Sequence, residues 1–159
     1  MRVVLDANVL VSAIAYGGTC YDVYRACGRG LHAFLCSPPL LSETKRILTD
    51  KFKMPRELVE RSAAAITGVA IMVEPVELPR STCRDPDDRV VLGTAESGLA
   101  DLIVTGDSHL LELRVFGKAR IVRPADSLRL LSEQSGSIEP SGGGVAAERR
   151  VRYRRRLRR

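Results

Sequence analysis

Long hydrophobic runs are missing from this chain. No apolar stretch approaches the roughly 20 residues that a membrane helix needs. The first residues turn acidic at Asp6, too soon for a secretory leader. The expectation is a cytoplasmic protein with no membrane association. Histidine is scarce, at two residues, and Cys20, Cys27, Cys36 and Cys83 form no CxxC pair. These spacings argue against a zinc cluster and fit reduced thiols in a cytosolic protein, although spacing alone leaves disulfides open. No Ser-His or Cys-His arrangement for nucleophilic catalysis stands out, and there are no internal repeats.

Basic residues are also scarce once the end of the chain is set aside. The formal charge is +6, yet residues 149–159 hold eight arginines and no acid. The remainder has 17 basic against 19 acidic residues, a balance of about −2. The basicity belongs to a tail, and the body is mildly acidic. A length of 159 residues with 45% hydrophobic and 28% charged residues fits one soluble domain with a sizeable core. From about Gln134 the composition turns to Gly, Ser and Pro and then to Arg. The expected division is therefore a folded domain over 1–133 and a tail over 134–159, too poor in apolar residues to build a core and expected to be disordered.

Within the body, short apolar runs alternate with helical patterns. Strands are expected at 2–6, 31–37, 70–75, 101–107 and 119–124. Helices are expected from Asn8 (a potential cap), from Thr19, after Pro38-Pro39, near Pro55, over RVVLGTAES with Asp88 at its start, at 108–113 and from Ala125. This alternation predicts an α/β fold with a parallel sheet covered on both faces.

In such a sheet, ligands sit beyond the carboxyl ends of the strands, at the switch point of the strand order. Asp6 closes the first strand and Asp107 follows the fourth. Glu43 lies early in the helix after strand two, and Asp88 begins the helix that leads into strand four. Helices that follow parallel strands start at the edge where those strands end, so the four acids share one edge. Converging carboxylates repel and call for a proton or a cation. An all-oxygen set suits Mg²⁺ or Mn²⁺. Each acid alone has a plainer reading. Asp6 or Asp107 could cap the next helix, Glu43 could be solvated, and Asp85, Asp87 and Asp88 could form a turn and an N-cap. It is their combination on one edge that points to a site.

The segments LDANVLVSA, SPPLLSETKRIL, CRDPDDRVVLGTAESGLADLIVTGD and IVRPADSL resemble, in order over about residues 1–131, the PIN-domain ribonucleases. The similarity is greatest to those classed as toxins of toxin–antitoxin pairs, relatives of the VapC toxins. The resemblance implies a three-layer α/β/α fold whose central parallel sheet has about five strands in the order 3-2-1-4-5, which sets strands one and four side by side. It implies a metal-dependent endoribonuclease using Mg²⁺ or Mn²⁺, acting on RNA, with a cognate antitoxin and a homodimeric state. The family's acidic site maps onto Asp6, Glu43, Asp88 and Asp107. Asn8 matches the small polar residue after the first acid, Thr105 the hydroxyl before the last, and Asp85 an additional acid.

The sequence departs from the pattern at three places. His109 stands where a second acid often follows Asp107, Arg89 stands where another acid is common, and Thr44 replaces an aliphatic residue. The four acids are intact, whereas a full second metal site is in doubt. His109 could serve as a ligand, contact phosphate, or simply cap or decorate the surface. Arg84 and Arg89 are the RNA-contacting candidates nearest the acids, and the arginine tail is a further electrostatic one.

Rival readings are a catalytically silent PIN-like module that binds RNA or protein, a phosphoacceptor receiver, and a haloacid-dehalogenase-like phosphatase. The retained acids weigh against the first. The missing lysine at a late strand end weighs against the second. Asn8, in the place of the second aspartate of Asp-x-Asp, weighs against the third.

Overall fold

The computed structural model describes residues 1–134. Parallel strands buried on both faces need apolar residues at every position rather than alternation. Strand β1 (Arg2–Leu5) and strand β4 (Leu102–Val104) meet that condition, since Val3, Val4, Leu5, Leu102, Ile103 and Val104 are all fully buried. The other strands are β2 (Ala33–Cys36), β3 (Ile71–Met72), β5 (Val115–Phe116) and β6 (Ala119–Val122). Their order across the sheet is β3-β2-β1-β4-β6-β5. The first five of these pair in parallel, and β5 pairs antiparallel with β6.

The expected order of five parallel strands is therefore present, with the strand over 119–122 as its fifth member. The sixth strand, of two residues, has no counterpart among the expected ones. It forms because Gly117 takes a positive φ of 57° and turns the chain straight back onto Ala119.

Among the described residues, six helices connect the strands, α1 (Ala7–Ala15), α2 (Gly18–Gly28), α3 (Pro38–Asp50), α4 (Arg56–Val69), α5 (Pro86–Ser97) and α6 (Ser108–Leu113), and α7 (Pro124–Gln134) follows the last strand. Helices α2 and α7 pack on one another and against β2 and β4 respectively, while α5 packs on β1, β2 and β4. One core cluster runs through the sheet and these helices, from Val3 and Phe34 to Leu92, Leu110 and Leu131. Pro38, Pro39 and Pro86 occupy first-turn positions, where the absent N–H costs no hydrogen bond. Asn8 does not cap α1. Asp6 holds the cap position, and Asn8 lies exposed in the first turn.

The strap from Val73 to Pro79 crosses α5 at Gly93. The Val76 amide donates to the Gly93 carbonyl at 3.2 Å. A Cβ on Gly93 would stand 2.3 Å from the Val76 carbonyl oxygen, so only glycine admits the strap at this distance. The strap carries the chain from the β3 edge back to the start of α5, where Asp85 and Asp88 lie.

Among the described residues, no helix is long and apolar enough to cross a membrane. The four cysteines are free. Burial pushes the Cys27 thiol up to about 12 and the Cys36 thiol up to about 11, so both behave as apolar core groups. The division at residue 133 and the tail beyond it fall at the limit of, or outside, the described residues.

Candidate metal centre

The β1–β4 ladder continues one residue past Leu5, where the Asp6 amide donates to the Val104 carbonyl at 3.0 Å. The β4–β6 ladder likewise continues through the Thr105 amide to the Val122 carbonyl at 3.1 Å. These two extensions set Asp6 beside Thr105 at the carboxyl edge of adjacent strands. The Thr105 hydroxyl, fully buried, donates to Asp6 Oδ2 at 2.7 Å. The hydroxyl oxygen in turn accepts the Asp107 amide at 3.0 Å. One hydroxyl therefore fixes both the first acid and the backbone of the last.

Asp107 also caps α6, its Oδ1 accepting the amides of His109 at 2.8 Å and Leu110 at 3.3 Å. Its capping role and its place at the strand end coexist. Asp6, by contrast, makes no capping hydrogen bond from its side chain. Asp88, on the first turn of α5, is 9% exposed. The Cys83 thiol donates to its Oδ2 at 3.6 Å. Asp85 is the N-cap of α5, accepting the Asp87 amide at 2.8 Å.

Electrostatics separate these acids from others in the fold. Burial raises the Asp6 carboxyl above its usual range. The Thr105 hydroxyl and the nearby amides of Asn8 and Ala7 oppose that rise, and the Asp107 charge adds to it. Burial raises Asp88 as well, reinforced by Asp107, Asp85 and Asp6 and opposed by the Cys83 thiol. Asp101, at the opposite edge of the sheet, is held low by Lys118 at 2.7 Å and by the Arg2 amide. Among the described residues, no lysine or arginine forms an ion pair with Asp6, Asp88 or Asp107. A cluster of carboxylates that repel one another and have no cationic side chain suits a hard divalent cation, whose charge offsets both burial and repulsion.

Asp88, Asp107 and His109 each offer a ligand atom within 4.8 Å of the others. Asp6 couples to this group through its field on Asp88 and through Thr105. Glu43 stands apart. Both of its oxygens are held by Arg46, at 2.8 Å and 2.6 Å, and its charge raises Asp87. Glu43 lies at the expected end of the sheet, but the acid it faces is Asp87.

Arg89 Nη1 donates to the carbonyls of Cys83 at 2.7 Å and Arg84 at 3.0 Å, closing the loop before α5. Arg84 is exposed. The contact between Cys83 and Asp88 had no signal in the sequence beyond a spacing of five residues. The approach of His109 was signalled only by its position two residues after Asp107.

Fold and site define the class: a parallel α/β protein with a cluster of acids at the topological switch point. The sequence model of the PIN domain matches residues 2–109. The chain belongs to the PIN-domain family. Its fold is similar to that in the crystal structure of VapBC2 from Rickettsia felis bound to a DNA fragment from their promoter. That match has a TM-score of 0.58 and 13% identity, and covers 77% of this chain and 98% of that one. No curated protein sequence matches the chain.

Proposed function

We propose that this protein is a metal-dependent endoribonuclease that hydrolyses RNA phosphodiester bonds with Mg²⁺ or Mn²⁺. One observation carries the reading. Asp88 and Asp107 offer ligand atoms within 4.8 Å of one another, the Asp6 charge interacts with both, burial and this repulsion raise Asp6 and Asp88, and among the described residues no lysine or arginine pairs with the three. In this reading Asp6, Asp88 and Asp107 hold the ion, directly or through water. Thr105 locks Asp6 in place, and Asn8 and Asp85 line the approach. Glu43 orients water or a second ion when its pair with Arg46 opens. When bound, the ion supplies a water of lowered pKa and neutralises charge building on the attacked phosphate and the leaving oxygen. Without it, the carboxylates repel the RNA backbone, so productive binding requires metal. Arg84, and to a lesser extent Arg89, face the incoming phosphates, and the nuclease unit spans 1–133.

The VapC-like sequence and the VapBC neighbour support a toxin of a toxin–antitoxin pair, with a cognate antitoxin as partner, a homodimeric state and a cytoplasmic location. The test is cleavage of defined RNAs by the full chain in Mg²⁺ or Mn²⁺, with chelator and with Asp6→Asn. Cleavage by the wild type should vanish in both controls. Cleavage that survives either control sinks the mechanism. Binding of RNA without any cleavage by the wild type would favour the silent module.

A further inference from the structure

We propose that His109 is a metal ligand, completing Asp88 and Asp107 into an N,O,O set that favours first-row transition ions over Mg²⁺. This deepens the metal-site reading above and rests on it.

The geometry comes from the short helix α6. Asp107 caps it, and the capping bond from the His109 amide at 2.8 Å ties the His109 backbone to the carboxylate. The ring Nδ1 lies 3.7 Å from Asp107 Oδ1. Its ligand atom lies within 4.8 Å of those of both Asp88 and Asp107. Neighbouring ligands about 2.1 Å from an ion are separated by about 3 Å, so a small rotation of an exposed imidazole closes the set. The side chain is 77% exposed.

The chemistry follows from the donor. Carboxylates and water suit Mg²⁺, whereas a neutral imidazole nitrogen adds affinity for the later first-row ions. Cys83 contacts only Asp88 within this cluster and does not join the mutually close set, so the site stays one of nitrogen and oxygen. An alternative role, a protonated ring paired with Asp107 and touching phosphate, would leave the metal coordination free of nitrogen.

The test is pulsed electron paramagnetic resonance of Mn²⁺ bound to the tag-free full chain, with Co²⁺ and Mg²⁺ affinities measured by calorimetry. The chain has only two histidines, and His32 lies at the amino end of β2, beside the chain's N-terminus. Nitrogen modulation in the wild type should therefore report His109. It should disappear in His109→Gln, with Co²⁺ affinity falling about tenfold or more and Mg²⁺ affinity changing far less. Mn²⁺ bound in a manner that requires Asp107, but showing no nitrogen modulation, would overturn the ligand role and leave the metal site standing. No Mn²⁺ binding at all would overturn both.

Discussion

Thr105 is where the site's geometry is concentrated. Its hydroxyl donates to Asp6 and accepts from the Asp107 amide, so its hydrogen and a lone pair are both committed. Replacing it with Val should leave a buried carboxylate without its donor and cost about 1–3 kcal/mol by chemical denaturation. Thr105→Ser should restore most of that loss, and equal losses in the two variants would show that the methyl group, not the hydroxyl, matters. Asp6 adds a pH signature. Its folded-state pKa is raised above the unfolded value of 3.8, so its contribution to stability is fully present below that value. The contribution is lost as pH rises through the raised folded value. Asp88 shifts in the same direction. In chelator, the melting temperature of Asp6→Asn should therefore gain on the wild type as pH rises from about 4 toward neutrality, and the difference should shrink when Mn²⁺ is added. A pH-independent difference would show that Asp6 is not titrating as its burial requires.

At the scale of the element, α6 is six residues long and depends on its cap. Asp107 caps the helix and is also a proposed site acid, and two substitutions separate the roles. Asp107→Asn keeps an oxygen that can accept the His109 and Leu110 amides, so stability should change by only a few tenths of a kcal/mol while RNA cleavage is lost. Asp107→Ala should lose cleavage and also about 1 kcal/mol of stability. Matching melting curves for the two variants would mean that the cap is energetically idle. Helix α5 shows the complementary division of labour. Asp85 caps it, leaving Asp88, later in the same first turn, near enough to Asp107 to feel its charge, so the Asp-Pro-Asp-Asp stretch supplies a cap and a proposed site acid at once.

For the molecule as a whole, the two edges of the sheet carry opposite chemistry. At the amino edge Asp101 is balanced by Lys118, and Arg2 Nε donates to the Gly98 carbonyl at 2.6 Å. At the carboxyl edge the acids of β1, β4 and α5 converge unbalanced. On α3, Arg46 is engaged on Glu43 and Lys45 on Glu60. Under the proposed function, the eight arginines of residues 149–159 are a further source of positive charge for RNA beside Arg84. Removing residues 136–159 should weaken RNA binding and flatten its dependence on salt, by a slope of roughly 0.7 for each single-strand phosphate that the tail neutralises. An unchanged slope would make the tail a spectator.

The sequence by itself determined the alternation of strands and helices, and it led to the expectation of one sheet edge shared by Asp6, Glu43, Asp88 and Asp107. Those features follow from local rules: apolar runs, proline and aspartate at helix starts, and the fixed direction of each strand-to-helix turn. Only the tertiary structure decided which side chains meet. Asp6 and Thr105 are 99 residues apart, and the register of β1 against β4 sets their 2.7 Å contact. The same holds for the field of Glu43 on Asp87, which depends on how α3 lies against α5, whereas its pairing with Arg46 is a local i,i+3 contact on α3. The exposure of Asn8, the β5–β6 hairpin and the approach of His109 to Asp88 are likewise matters of ångström-scale packing. Sequence periodicity fixes which edge a residue occupies, whereas a metal site is defined by distances that only the packed backbone sets.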